Sequence, residues 1–120
     1  MTIDETTTRL MRANLLEVFD QRDGDARREA IERTYAPDVR WSDDEGVTVG
    51  IVALNAKAEL LQSQLGDLRF REAGAIQGTR GLGYLAWELA PPGGAPAAAS
   101  GFDVAIISED RIVALYTVLT

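Results

Sequence analysis

Two aspartates carry the strongest chemical signal in the chain. Asp43 closes the run Tyr35-Ala36-Pro37-Asp38-Val39-Arg40-Trp41-Ser42-Asp43, and Asp103 stands in Gly101-Phe102-Asp103-Val104-Ala105-Ile106. Both segments read as strands, and a carboxylate on the buried side of a strand is costly unless it is paired, hydrogen-bonded or protonated. Two such acids suit proton abstraction beside a carbonyl, or the orientation of a water. Two acids facing one another would also repel, raising the pKa of at least one. Each residue has a plainer reading beside this one. Asp43 suits the capping of a turn with Asp44, and Asp103 suits a structural carboxyl bonded to a buried tyrosine or a backbone group.

Composition narrows who else can take part. The chain has 120 residues, 46% of them hydrophobic and 26% charged, which fits one ordinary globular domain over residues 1–120. The net charge of −7 argues against nucleic acid and anionic membranes as partners. With no cysteine and no histidine, thiolate nucleophiles, disulfides and the commonest metal ligands are excluded. Acid–base work falls to Asp, Glu, Lys, Tyr or Arg. The start, Met1-Thr2-Ile3-Asp4-Glu5, has no basic and apolar signal pattern, and no apolar run reaches membrane-spanning length. The expectation is a cytoplasmic protein. Asp43-Asp44-Glu45 lacks the spacing of a calcium loop, and Gly81-Leu82-Gly83 lacks the strand-to-helix setting of a nucleotide fingerprint. No metal and no cofactor are expected.

The elements that must position the acids follow from periodicity. Thr2 to Glu5 has capping-box spacing. Met11, Leu15 and Val18, widened by Leu10 and Phe19, make the stripe of a first helix ending near Gly24. Asn14 lies inside that stripe, either facing a pocket or at its boundary. Asp25 is placed to cap a second, shorter helix with Ala30, Ile31, Thr34 and Tyr35 buried, stopped before Pro37. From Val39 the period is two, with Val39, Trp41 and Asp43 on one face. Val47 to Val49 suits a short return strand. Ile51, Leu54, Ala58, Leu61 and Leu65 define a third helix between Gly50 and Gly66. Strands are expected over Leu68–Ile76, Gly81–Leu89, Gly101–Ile107 and Ile112–Leu119. Ala90 to Ala99, rich in proline and glycine, reads as a long hairpin loop. The class is α+β.

Helix, short helix, Tyr35 through Asp43, Gly50 opening a third helix, then strands with Gly101-Phe102-Asp103 and Arg111-Ile112-Val113-Ala114-Leu115-Tyr116, resembles the nuclear transport factor 2-like superfamily. The likeness is greatest to its SnoaL-like polyketide cyclase and ketosteroid isomerase branches. The resemblance implies a cystatin-like cone: a curved, largely antiparallel (mixed) sheet around a long N-terminal helix, with an apolar pocket at the wide end. It implies a general base at Asp43 and, at Asp103, a protonated acid donating to a substrate oxyanion. The isomerase branch adds a tyrosine on the first helix; here that helix offers Asn14, Leu15, Val18 and Phe19. An epoxide-hydrolase-like relay of Asp43, Arg71 and Asp103 is the alternative chemistry, and a non-catalytic ligand-binding or dimerisation module is the alternative function.

Around the acids, Trp41, Tyr84 and Phe102 are the first expected pocket walls, joined by Asn14, Trp87 and Tyr116; core packing or a dimer surface is the competing reading for the aromatics. Arg27-Arg28 and Arg69-x-Arg71 are expected to face solvent. The implied partners are a small apolar molecule and a second copy of the chain, docked through the convex sheet face.

Overall fold

The computed structural model describes residues 4–120. Thr2, and with it the expected capping box, lies outside them. Asp4 caps the first helix instead, its carboxylate accepting the Thr7 amide at 2.7 Å. That helix, α1 (Glu5–Arg12), runs directly into a π-helical segment, Ala13–Phe19, where the Asp20 amide bonds the Leu15 carbonyl at 3.0 Å. The wider turn rotates the following side chains, so Ala13, Asn14, Leu15, Val18 and Phe19 are all buried.

Helix α2 is Gly24–Thr34. Its cap is Asp23, which accepts the Ala26 amide at 3.0 Å, rather than Asp25, and Gly24 opens α2 rather than closing the first helix. Arg27 corrects the expectation of a solvent-facing arginine: it is 1% exposed. Its guanidinium donates to Asn55 Oδ1 at 2.9 Å and to the Gln21 carbonyl at 2.8 Å, tying α2 to helix α3 (Ile51–Leu65). Arg28 stays exposed, paired with Asp25.

Seven strands form one open sheet: β1 (Tyr35–Asp43), β2 (Gly46–Val49), β3 (Arg69–Glu72), β4 (Gln77–Thr79), β5 (Leu82–Ala90), β6 (Ala99–Ser108) and β7 (Arg111–Leu119). The order is β2-β1-β7-β6-β5-β3, with β4 on β5. Only β1–β7 is parallel among the described pairings, so the sheet is mixed and the class is α+β. β1 begins at Tyr35, earlier than the alternation from Val39 suggests. Pro37 is accommodated because the β1–β7 register shifts between Tyr35 and Arg40, leaving an irregularity where no ladder donor is needed. The loop after β5 is shorter than expected, spanning 91–98.

Register assigns the two faces. Leu85, Asp103 and Thr117 are cross-strand neighbours in one row, and Tyr84, Val104, Tyr116 and Ser42 form the next. Alternation puts these rows on opposite sides. The inner side carries Trp41, Leu85, Trp87, Ala105 and Leu115 against Leu10, Met11, Leu15 and Val18 of the first helix.

Candidate functional site

Asp103 sits at the floor of a hollow of about 410 Å³ between the inner sheet face, the π-helical segment and α3. Strand parity turns it inward, and it is 3% exposed. Three donors converge on it. Thr117 Oγ1 and Trp87 Nε1 both donate to Oδ1, at 2.9 and 3.2 Å, and Asn14 Nδ2 donates to Oδ2 at 2.9 Å.

A second layer fixes the direction of these bonds. Trp41 Nε1, a donor only, bonds Thr117 Oγ1 at 3.0 Å, filling one of its lone pairs and leaving its hydrogen to point at Asp103. The Tyr35 hydroxyl donates to Asn14 Oδ1 at 2.5 Å, which turns the Asn14 amide hydrogens toward Asp103. All three partners are thus arranged to donate to an ionised Asp103. Burial pushes the Asp103 pKa up to about 6, while the hydrogen bonds from Thr117, Trp87 and Asn14 pull it down. Asp43 is not among the causes, so like-charge repulsion between the two acids is not what raises it. Burial, followed by the nearby charge of Asp103, also drives the Tyr35 hydroxyl well above its ordinary value.

Asp43 lies on the wall near the mouth, already paired. Its Oδ2 meets Lys57 Nζ at 2.5 Å, and its Oδ1 accepts the Glu45 amide at 3.0 Å, the turn-capping role. Glu45 Oε1 approaches the same ammonium at 3.5 Å, and the ammonium stands 4.7 Å from the centre of the Trp41 ring. Burial pulls the Lys57 pKa down, but the hydrogen bonds and charges of Asp43 and Glu45 outweigh it and hold the group above an ordinary lysine.

Of the expected site residues, Asp43, Asp103, Trp41 and Trp87 line the hollow. Asn14 stands behind Asp103 rather than in the wall. Tyr84, Phe102 and Tyr116 do not reach the hollow: they lie on the convex face, where the Tyr84 and Phe102 rings pack 5.4 Å apart. Phe102 is the chain neighbour of Asp103 in a strand, so the two point opposite ways. Arg71 also departs from the expected relay, since it lies opposite Glu88 and bonds it at 2.9 Å, one position off the inward residues Phe70 and Leu89. Thr117 and Lys57 were not anticipated. A signal for each exists: Thr117 is the single hydroxyl in the inward series Leu115-x-Thr117-x-Leu119, and Lys57 is three residues after Leu54 and four before Leu61, at the edge of the apolar stripe.

No protein-family profile matches the chain, and no curated protein matches it. Solved structures do. A proposed isomerase of the SnoaL-like family from Agrobacterium tumefaciens superposes with a TM-score of 0.88 at 22% identity, covering 98% of this chain and 99% of that one. A proposed SnoaL-like polyketide cyclase from a Jannaschia species gives 0.76 at 14% identity over 99% and 90%. A SnoaL-like protein of unknown function from Burkholderia thailandensis gives 0.75 at 15% over 99% of both. The chain has the SnoaL-like, nuclear transport factor 2-like fold; at these identities the likeness concerns the fold, which hosts unrelated activities.

Proposed function

We propose that the protein, a cytoplasmic single SnoaL-like domain over residues 1–120, binds a small, largely apolar, carbonyl-bearing or polyketide-like molecule in the hollow and moves a proton on it, as an isomerase or cyclase does. The observation that carries this is Asp103, a buried acid on the floor of the hollow with a pKa raised to about 6. A base poised near neutrality abstracts a proton α to a carbonyl with least mismatch. The roles differ from those the resemblance implies. Asp103, whose fixed partners all donate, takes the proton. Lys57, whose ammonium has three donors and gives two to Asp43 and Glu45, offers the third to the developing enolate oxygen. Asp43 holds Lys57 in place. This supplies a positive group where the first helix has no tyrosine.

The test is hydrogen–deuterium exchange at the α-carbon of a fused-ring ketone such as 2-tetralone, followed by NMR. The wild type should accelerate exchange, Lys57→Met should slow it, and folded Asp103→Asn should abolish it. Exchange unchanged in Asp103→Asn would end the catalytic reading. A non-catalytic ligand-binding module then stands, favoured by the fact that the chain itself already supplies three donors to Asp103. The convex face supports assembly with a second copy. Tyr116 and Val118 are 47% and 41% exposed there, beside Ile106, Tyr84 and Phe102.

A further inference from the structure

We infer that the molecule held in the hollow carries a cationic nitrogen on its apolar body, seated at the floor between Asp103 and the aromatic walls. This rests on the reading of the hollow as a ligand site and narrows the ligand's class. The argument starts from countercharges. Three largely buried carboxylates belong to this part of the fold. Asp20 is forked by Arg69, at 2.8 Å. Asp43 has Lys57. Asp103, the most buried of the three, has only the neutral donors Asn14, Trp87 and Thr117, and no cation pairs with it among the described residues. A carboxylate taken out of water without a countercharge is costly, and a bound cation removes that cost.

The walls suit the same guest. Four rings line the hollow as two pairs: Phe19 against Trp41 at 4.9 Å, and Phe70 against Trp87 at 5.2 Å. Aromatic faces attract ammonium groups once water is excluded, and Lys57 over Trp41 is an internal instance. Charge at the entrance points the same way. The hollow is lined by Asp43, Asp44, Glu45 and Asp103 against the lone lysine, so the field along the path in attracts cations. With the Trp41, Trp87 and Thr117 hydrogens all committed inside the chain, the floor has acceptor character, which a donor carried on the ligand's own nitrogen complements.

The discriminating probe is a charge-only pair: benzyltrimethylammonium and its carbon isostere neopentylbenzene, which share shape and differ in one charge. Trp41 and Trp87 are the chain's two tryptophans and both line the hollow, so intrinsic fluorescence reads occupancy directly. The wild type should bind the cation at least tenfold more tightly than the isostere, and Asp103→Asn should bring the two within about twofold. The wild-type ratio decides even where the variant does not fold. Equal binding, or tighter binding of the isostere, overturns the cationic class and leaves the carbonyl-bearing reading standing. Binding of neither probe overturns the cationic class, and the carbonyl-bearing reading is decided separately by the exchange test on 2-tetralone.

Discussion

Asn14 and Asp103, from opposite ends of the chain, share a buried 2.9 Å hydrogen bond that joins the π-helical segment to the middle of β6. The bond is the middle link of a chain running from the Tyr35 hydroxyl to the acid. Replacing Asn14 by alanine strands two buried polar groups at once. The expected cost is about 3 kcal/mol, set by the penalty for an unmet buried partner. Tyr35→Phe leaves only the Asn14 carbonyl oxygen unmet, and should cost about half as much. Urea unfolding of both variants orders them; Tyr35→Phe costing as much as Asn14→Ala would contradict the chain of bonds.

Stability should depend on the protonation of Asp103. Its folded pKa, about 6, lies above the unfolded value of 3.8. Between those values the folded state holds more protons than the unfolded one. The stability contributed by Asp103 is thus complete at low pH and is lost as pH rises from about 4 to about 6, at a slope of up to about 1.4 kcal/mol per pH unit. Subtracting the unfolding profile of Asp103→Asn from that of the wild type isolates it. A difference that is flat across this window contradicts the assignment.

Gly101 leaves room for a ring. A methyl group there would meet the Val118 carbonyl oxygen at 2.5 Å and the Trp87 ring at 2.6 Å. Gly101→Ala should push Trp87 off its bond to Asp103, changing tryptophan emission and lowering stability by about 2 kcal/mol. Unaltered emission would show that Trp87 has another way to accommodate the methyl.

Gln62 on α3 is 7% exposed, and neither polar atom of its amide has a partner among the described residues. Gln62→Met keeps the length of the side chain and removes the unmet groups. The thermal midpoint should rise, by the equivalent of about 1 kcal/mol. A fall would mean that the amide has a partner in solution.

If the convex face joins two copies, a charge placed on it should part them. Tyr116→Asp combined with Val118→Asp should give a monomer by light scattering while circular dichroism is unchanged. A dimer that survives both substitutions would place the interface elsewhere.

Much of the fold was legible because punctuation and period agreed. Gly50 and Gly66, at φ 91° and 62°, bracket α3 where the apolar stripe begins and ends. The site was legible in part. Asp103 and Trp41 stood out as polar or aromatic groups on inward strand positions. Grouping Phe102 and Asp103 in one pocket contradicts the two-residue period, which alone excludes Phe102. Asn14 was legible only in part: the helical period sets it inside the apolar stripe, and burial there bears that out, but nothing in the stripe shows that its amide reaches Asp103. Arg27 was not legible at all. Nothing in its own helix signals that Asn55 and a carbonyl from the preceding turn wait to receive it.

The placing of β7 bears on how the protein is made. Among the described residues, β1 and β2 join the rest of the sheet only through β7, which follows every other strand in sequence. A nascent chain still missing that strand holds two unconnected fragments, each with a bare edge. Assembly is therefore deferred until β7 has been made, and closure requires pairing between residues as distant in sequence as Tyr35 and Ile112, which slows folding. Trimming into β7 should yield aggregation in place of a smaller folded core.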